Sequence, residues 1–179
     1  MSVLDKVIAA VTPPEGEEAR ADARQRARAT AQPGDWFSLI LDHHLKLEDA
    51  FAAVKAAGDP ASRRAAQKHL GVVLTGHAIA EEAVIYPAMG ETGEKMHAEL
   101  GYNEQAMVKM QMAMLEALDP MSQDYLDKLE HIRGAVAHHM YQEEGTWFID
   151  LKESAPMAEQ ATLTARYKEE WDRYVGSDA

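Results

Sequence analysis

The chain has 179 residues and no cysteine, and 30 acidic side chains against 18 basic ones give it a formal charge of −12. That length allows one domain with a real core. The lack of thiols excludes disulfides and thiolate metal sites, and the charge disfavours nucleic acid or an anionic membrane as a partner. Ala, Leu, Met, Glu, Gln, Lys and Arg dominate while β-branched runs are scarce, which predicts an all-α protein. No apolar stretch approaches the roughly 18 residues of a membrane span. The opening MSVLDKVIAAV is too short and interrupted for a signal peptide, so the expected location is cytoplasmic.

Three regions are expected: an N-terminal helical extension over 1–32, a helical core over 33–152, and a C-terminal helix over 153–179 packing on it. In the first, Thr12 and Pro13-Pro14 can start a short helix, and the charged EEARADARQRARAT reads as exposed or weakly docked. Asp35 caps a first long helix with Trp36, Ile40, His44, Leu47 and Phe51 at steps of three or four. Gly58-Asp59-Pro60 stops it and starts a second, carrying Leu70, Val73, Leu74, His77, Glu81, Val84 and Ile85 until Pro87 ends it. A third carries Met96, Leu100, Met107, Met110, Met114 and Leu118 as its apolar stripe. Ser122 restarts the chain into a fourth, with Leu126, Leu129, Ile132, Val136, His139, Glu143, Trp147 and Leu151. Pro156 then permits a final helix using Leu163, Tyr167, Trp171 and Tyr174. Long amphipathic helices with short connections predict an up-down-up-down antiparallel four-helix bundle with extra terminal helices.

The second and fourth long helices repeat one signature. His77-x-x-x-Glu81-Glu82 is followed by Tyr86-Pro87, and His139-x-x-x-Glu143-Glu144 by Phe148. Four residues along an α-helix return to nearly the same face, so each segment aims one imidazole and one carboxylate at a common point. His44 adds a third imidazole on an apolar stripe. Burying such groups is costly unless they are paired or bind metal. Nitrogen and oxygen donors without sulfur suit iron, manganese or zinc. An isolated His-x-x-x-Glu is most simply a surface ion pair, but two on matching apolar stripes favour a buried metal site. His43, His138, Glu82 and Glu144 are rotated about 100° from these faces and are read as supporting or solvent-facing. His69 and His131 are read as lying two turns away from it. Methionine at helical spacing reads as adaptable core filler rather than a copper site.

These residues resemble the hemerythrin-like (HHE cation-binding) family, a four-helix bundle around a non-haem di-iron centre. The matching motifs are Leu-Asp-His-His-Leu-Lys-Leu-Glu-Asp-Ala-Phe, His77-x-x-x-Glu81-Glu82 with Tyr86-Pro87, and His139-x-x-x-Glu143-Glu144 with Trp147-Phe148, so the resemblance runs from about Asp35 to Leu151. It implies His44, His77 and His139 as terminal ligands and Glu81 and Glu143 as carboxylates bridging two irons. The third helix departs from the family, which usually places a histidine there. Glu104 is the expected ligand from that helix, with Gln105 and His97 as alternatives. The implied cofactor is iron, two atoms, with zinc or manganese as possible substitutes. The implied function is uptake of O2 or NO for sensing, storage or iron handling, by a protein that is more a binder than an enzyme. A di-iron oxidase, peroxidase or iron-centre repair enzyme is the alternative, and a metal-free or zinc-bound interaction module a third. No nucleic acid or membrane partner is expected, and the terminal helices could support a homo-oligomer.

Overall fold

The computed structural model describes residues 15–176. Among them every regular element is helical. In chain order they are α1 (Glu17–Thr30), α2 (Trp36–Ala56), α3 (Pro60–Ala80), α4 (Tyr86–Glu91), α5 (Lys95–Glu116), α6 (Gln123–Gln142), α7 (Phe148–Ser154) and α8 (Met157–Tyr174). A single π turn joins α3 to α4 (Glu81–Ile85), and another joins α6 to α7 (Glu143–Trp147). No described helix is long and apolar enough to cross a membrane.

The long helices begin where capping chemistry allows. Asp35 Oδ1 accepts from the Ser38 N–H at 2.8 Å. Asp59 Oδ1 accepts from Ala61 and Ser62 at 3.0 Å each. Ser122 Oγ accepts from Tyr125 at 3.2 Å. Each satisfies donors that a helix start leaves orphaned, and each is worth about 1 kcal/mol. The predicted Thr12 cap lies outside the described residues; α1 itself starts at Glu17 after Gly16, with no side-chain cap.

Two expectations about these helices are corrected. Pro87 does not end its helix, because the π turn before it closes with a Tyr86 N–H to Glu81 C=O bond and the helix resumes through Glu91. Proline offers no N–H to the preceding turn. There the Glu82 carbonyl accepts from the Tyr102 hydroxyl at 2.7 Å and the Ala83 carbonyl from Arg166 at 3.5 Å. Nor does α5 turn its methionines inward. Met96, Met107, Met110 and Met114 are 44–76% exposed, while Ala98, Gly101, Gln105, Val108 and Leu115 face the interior. Small residues decide the phase: a Cβ on Gly101 would stand 2.7 Å from Cζ of Tyr86, so only this face lets α5 approach that ring.

Two apolar clusters form the core. One gathers Trp36, Phe37, Ile40, Leu41, Tyr86 and Phe148, with aromatic edges meeting at ring distances of 5.8–6.0 Å. The other gathers Leu47, Phe51, Leu70, Tyr125, Leu129 and Ile132. Helix α1 docks more firmly than its charge suggests, since Ala23 and Ala27 are fully buried. Helix α8 adds Leu163 and Tyr167 to the first cluster and Trp171 to the second.

Candidate metal centre

Between the two clusters lies a layer of polar side chains. On α2, His44 stands between Leu41 of one cluster and Leu47 of the other; on α3, His77 stands between Leu74 and Ala80. The same alternation on α6 places His139 after Val136 and before Trp147. Each amphipathic helix therefore delivers one imidazole to the boundary, and the π turns begin at the carboxylates Glu81 and Glu143. A π turn admits one extra residue and is often found at functional sites. The second acidic residue of the turn at Glu143 is drawn in by its partners: Glu144, expected to meet solvent, is 1% exposed and bonds Nδ1 of His44 at 2.7 Å. Arg24 of α1 donates to the same carboxylate and, at 2.8 Å, to Glu48.

His44, His77, Glu81 and Glu143 each offer a donor atom, all four lying within 4.8 Å of one another, and all four residues are buried. His44 Nε2 is 3.3 Å from Glu143 Oε2, and His77 Nε2 is 3.3 Å from Glu81 Oε2. Donors about 2.1 Å from a shared ion stand about 3.0–3.4 Å apart, so these separations suit a common cation. Of these atoms, His44 Nε2, His77 Nε2 and Glu143 Oε2 make no hydrogen bond, nor does the other Glu81 oxygen, Oε1. Buried polar atoms are normally paired. Several unpaired donors aimed at one point therefore fit a cation, and imidazole with carboxylate is the donor set for iron, manganese or zinc.

The protons that the site carries without a metal follow the same logic. Burial opposes charge on His44, but Glu143 and Glu144 outweigh it and raise its pKa to about 9. Burial likewise opposes charge on His139, and Glu143 and Glu104 raise it well above the usual range. His77, buried and beside a charged His44, is held well below. Burial and the Glu143 charge push Glu81 well above the carboxylate range, whereas His139 and His44 overcome burial to hold Glu143 below it. Two imidazolium protons and a carboxyl proton thus balance the buried acids, and a cation entering the site displaces protons.

The second half of the layer is built around a phenol. The Tyr86 hydroxyl lies 3.1 Å from His139 Nε2, 3.1 Å from Glu143 Oε1 and 3.4 Å from Glu81 Oε2. Gln105 Nε2 donates to that hydroxyl at 2.8 Å and to Glu81 Oε2 at 2.6 Å. Glu104, from the same helix, reaches only the outer nitrogen of His139, Nδ1, at 2.7 Å and is itself partly exposed. His97 pairs with Glu94 at 2.6 Å and stacks on Trp147. The interior position on α5 thus belongs to Gln105. A cavity of about 20 Å³ adjoins this half, lined by His77, Gln105 and His139 with Leu47, Leu74 and Val136.

Because Gly101 abuts the Tyr86 ring, Gly101→Ala is expected to displace the phenol. The substitution should cost about 1–3 kcal/mol, as overpacking does. It should also weaken the hold on His139 and Gln105, which denaturant unfolding and histidine NMR shifts measure. An unchanged stability with unchanged His139 resonances would contradict the packing described.

Sequence spacing pointed to the histidines and the first glutamate of each motif, and the structure places His44, His77, Glu81, His139 and Glu143 in one layer. It does not point to Glu144 or Arg24, and it includes Tyr86 only as part of a motif. The available signal was the aromatic residue five positions after each carboxylate, since Tyr86 and Phe148 close the two π turns. His43 is buried, its Nδ1 lying 2.9 Å from the Tyr167 hydroxyl, with burial lowering its pKa to about 3. His138 pairs with Glu15 at 2.7 Å, and His69 is exposed.

The family model described as the hemerythrin HHE cation-binding domain matches residues 37–151. The chain is 29% identical over 135 residues to a DNA nickase of Nostoc sp. strain PCC 7120, a match covering 73% of this chain and 35% of that protein. It is 26% identical over 109 residues to a hemerythrin-like protein of Schizosaccharomyces pombe, covering 59% of this chain and 53% of that one. The chain thus spans about a third to a half of the length of these relatives. No solved structure matches it significantly. With its cation-suited layer of histidine and glutamate inside the matched span, the chain belongs to the hemerythrin HHE cation-binding domain family.

Proposed function

We propose that this protein holds a non-haem iron centre and takes up a small diatomic ligand, O2 or NO, for sensing, storage or iron handling. In this reading α2, α3, α5 and α6 make the up-down-up-down bundle expected of the family, and the polar layer is its centre. The carrying observation is the group of unpaired donors on His44, His77, Glu81 and Glu143 buried between two apolar clusters.

Two irons are favoured over one by the reach of Glu143. One oxygen faces His44 at 3.3 Å and the other faces His139 at 3.1 Å, the disposition of a carboxylate shared between neighbouring ions. His139, Glu143 and the Tyr86 oxygen would then hold the second ion, with Gln105 orienting the phenol. Iron would supply exchangeable electrons and a coordination position; the chain orients that position and restricts access. A cavity of about 20 Å³ has room for about one water-sized molecule, which suits a diatomic. Its Leu47, Leu74 and Val136 walls limit water.

The test uses anaerobically reduced, iron-loaded protein. The expected result is a change in visible absorption on admitting O2 that reverses on purging, and a new electron paramagnetic resonance signal with NO. Absence of any response to both gases sinks the reading, and sustained consumption of peroxide would favour the oxidase or peroxidase alternative.

A further inference from the structure

We propose that Tyr167 is a positioning residue for the ligand His77, so that α8, which lies beyond the span matched by the family model, is part of the metal centre. The inference rests on the reading of His77 as a ligand and adds a partner for its outer nitrogen.

The Tyr167 side chain is fully buried, and its hydroxyl sits between two imidazoles. It is 3.4 Å from Nδ1 of His77 and 2.9 Å from Nδ1 of His43. A histidine that gives Nε2 to a metal as neutral imidazole carries its proton on Nδ1, so His77 Nδ1–H donates to the Tyr167 oxygen. The single hydroxyl proton is then free to donate to His43 Nδ1, which fixes His43 with its proton on Nε2. The array has one direction: ligand histidine to phenol to outer histidine. Such partners of a ligand set its tautomer and ring orientation.

The fold is built to keep Tyr167 there. Trp171, one turn further along α8, stacks on His43 with ring centroids 3.4 Å apart and planes 13° from parallel. Tyr167 itself stacks on the same imidazole at 5.6 Å. The end of α8 comes so close to α3 that a Cβ on Gly76, the residue before His77, would stand 2.3 Å from Cγ2 of Val175. A glycine at 76 is what lets the two helices meet at the level of the ligand.

Tyr167→Phe removes the acceptor and keeps the ring. It should weaken binding of Co(II), followed by its visible absorption in competition with a chelator, by about 10–100-fold. In zinc-loaded protein labelled with ¹⁵N-histidine, the Nδ1–H signal of His77 should shift or vanish by exchange, which loss of packing alone does not require. Trp171→Phe thins the stack but keeps the hydroxyl, and should lose clearly less than Tyr167→Phe on both readouts. If Tyr167→Phe does not fold, His43→Phe reports on the same array, because losing the acceptor of the phenol proton moves the His77 signal. Unchanged Co(II) affinity and an unchanged Nδ1–H signal in Tyr167→Phe overturn the proposal, as do equal losses in Tyr167→Phe and Trp171→Phe. An unsubstituted protein that binds no metal sinks the proposed function and this inference together, whereas binding that ignores Tyr167 sinks this inference alone.

Discussion

Glu143→Ala abolishes cation uptake: elemental analysis of the purified variant is expected to find background metal per chain where the parent holds its full complement. Glu143 is fully buried, and it faces His44 at 3.3 Å and His139 at 3.1 Å through separate oxygens. Its removal takes a carboxylate oxygen from both halves of the layer and leaves two imidazolium groups without their shared acid. Breaking a buried pair from one side costs about 3–5 kcal/mol. The variant also forgoes the stabilisation that a ligand gives the folded state, about 4 kcal/mol when metal is present at a thousand times its dissociation constant. Denaturant unfolding with and without a chelator separates the two contributions. The chelator should destabilise the parent and leave the variant unmoved. Glu143→Gln, which keeps the shape, should lose metal with a smaller loss of metal-free stability. A Glu143→Ala protein that retains parental metal content would remove Glu143 from the centre.

The metal-free protein is expected to lose stability as the pH falls from about 6.5 towards 3, and His43→Phe should blunt that loss. Burial is the main reason that the folded pKa of His43 drops to about 3, with Lys46, His44 and Lys168 adding repulsion. The unfolded chain takes up its proton near 6.5 while the folded one refuses it. Stability that is present above pH 6.5 therefore declines by about 1.4 kcal/mol per pH unit until the folded pKa is reached. His44 has the opposite sign. Its folded pKa is raised to about 9, so its contribution is complete below 6.5 and disappears between about 6.5 and 9. His77, also held low, adds to the acid limb with His43, and His139, also raised, adds to the alkaline limb with His44, so stability peaks near neutral pH and His43→Phe removes one histidine's share of the acid slope. Phenylalanine at 43 preserves a ring to stack on Trp171, and although it strips the Tyr167 hydroxyl of its acceptor, that loss does not vary with pH, so the slope isolates the titration. Urea unfolding in chelator across this pH range measures both limbs. An acid limb of equal slope in parent and His43→Phe would refute the assignment.

Much of this centre was legible from spacing alone because its first determinant is local. An imidazole and a carboxylate four residues apart share a helical face wherever the helix is placed. Asp35, Asp59 and Ser122 mark helix starts by chemistry that involves only their own next three residues. Those features single out His44, His77, Glu81, His139 and Glu143 without reference to packing.

The phase of α5 was not legible. Hydropathy puts Met107, Met110 and Met114 inside, yet they stand in solvent because the ring of Tyr86 requires Gly101 beneath it. That choice turns Gln105 towards Glu81 and leaves Glu104 on the outer nitrogen of His139. Glu144 is not legible either, because it is buried by His44 and Arg24 from other helices, whereas Glu82, at the same place in the other π turn, pairs with Lys109 and stays partly exposed. Helix α1 looked too charged to dock, but Arg24 is drawn in by Glu48 and Glu144 from two other helices.

The chain's own order of residues determined its helices, their caps and the pairing of each histidine with its glutamate, because those depend on contacts within a turn or two. Which side of α5 faces inward, how Tyr86 and Gln105 fill the second half of the layer, and the reach of Tyr167 from α8 to His77 were decided only in three dimensions. They depend on how closely two helices can approach, and that distance is set by side chains far apart in the chain.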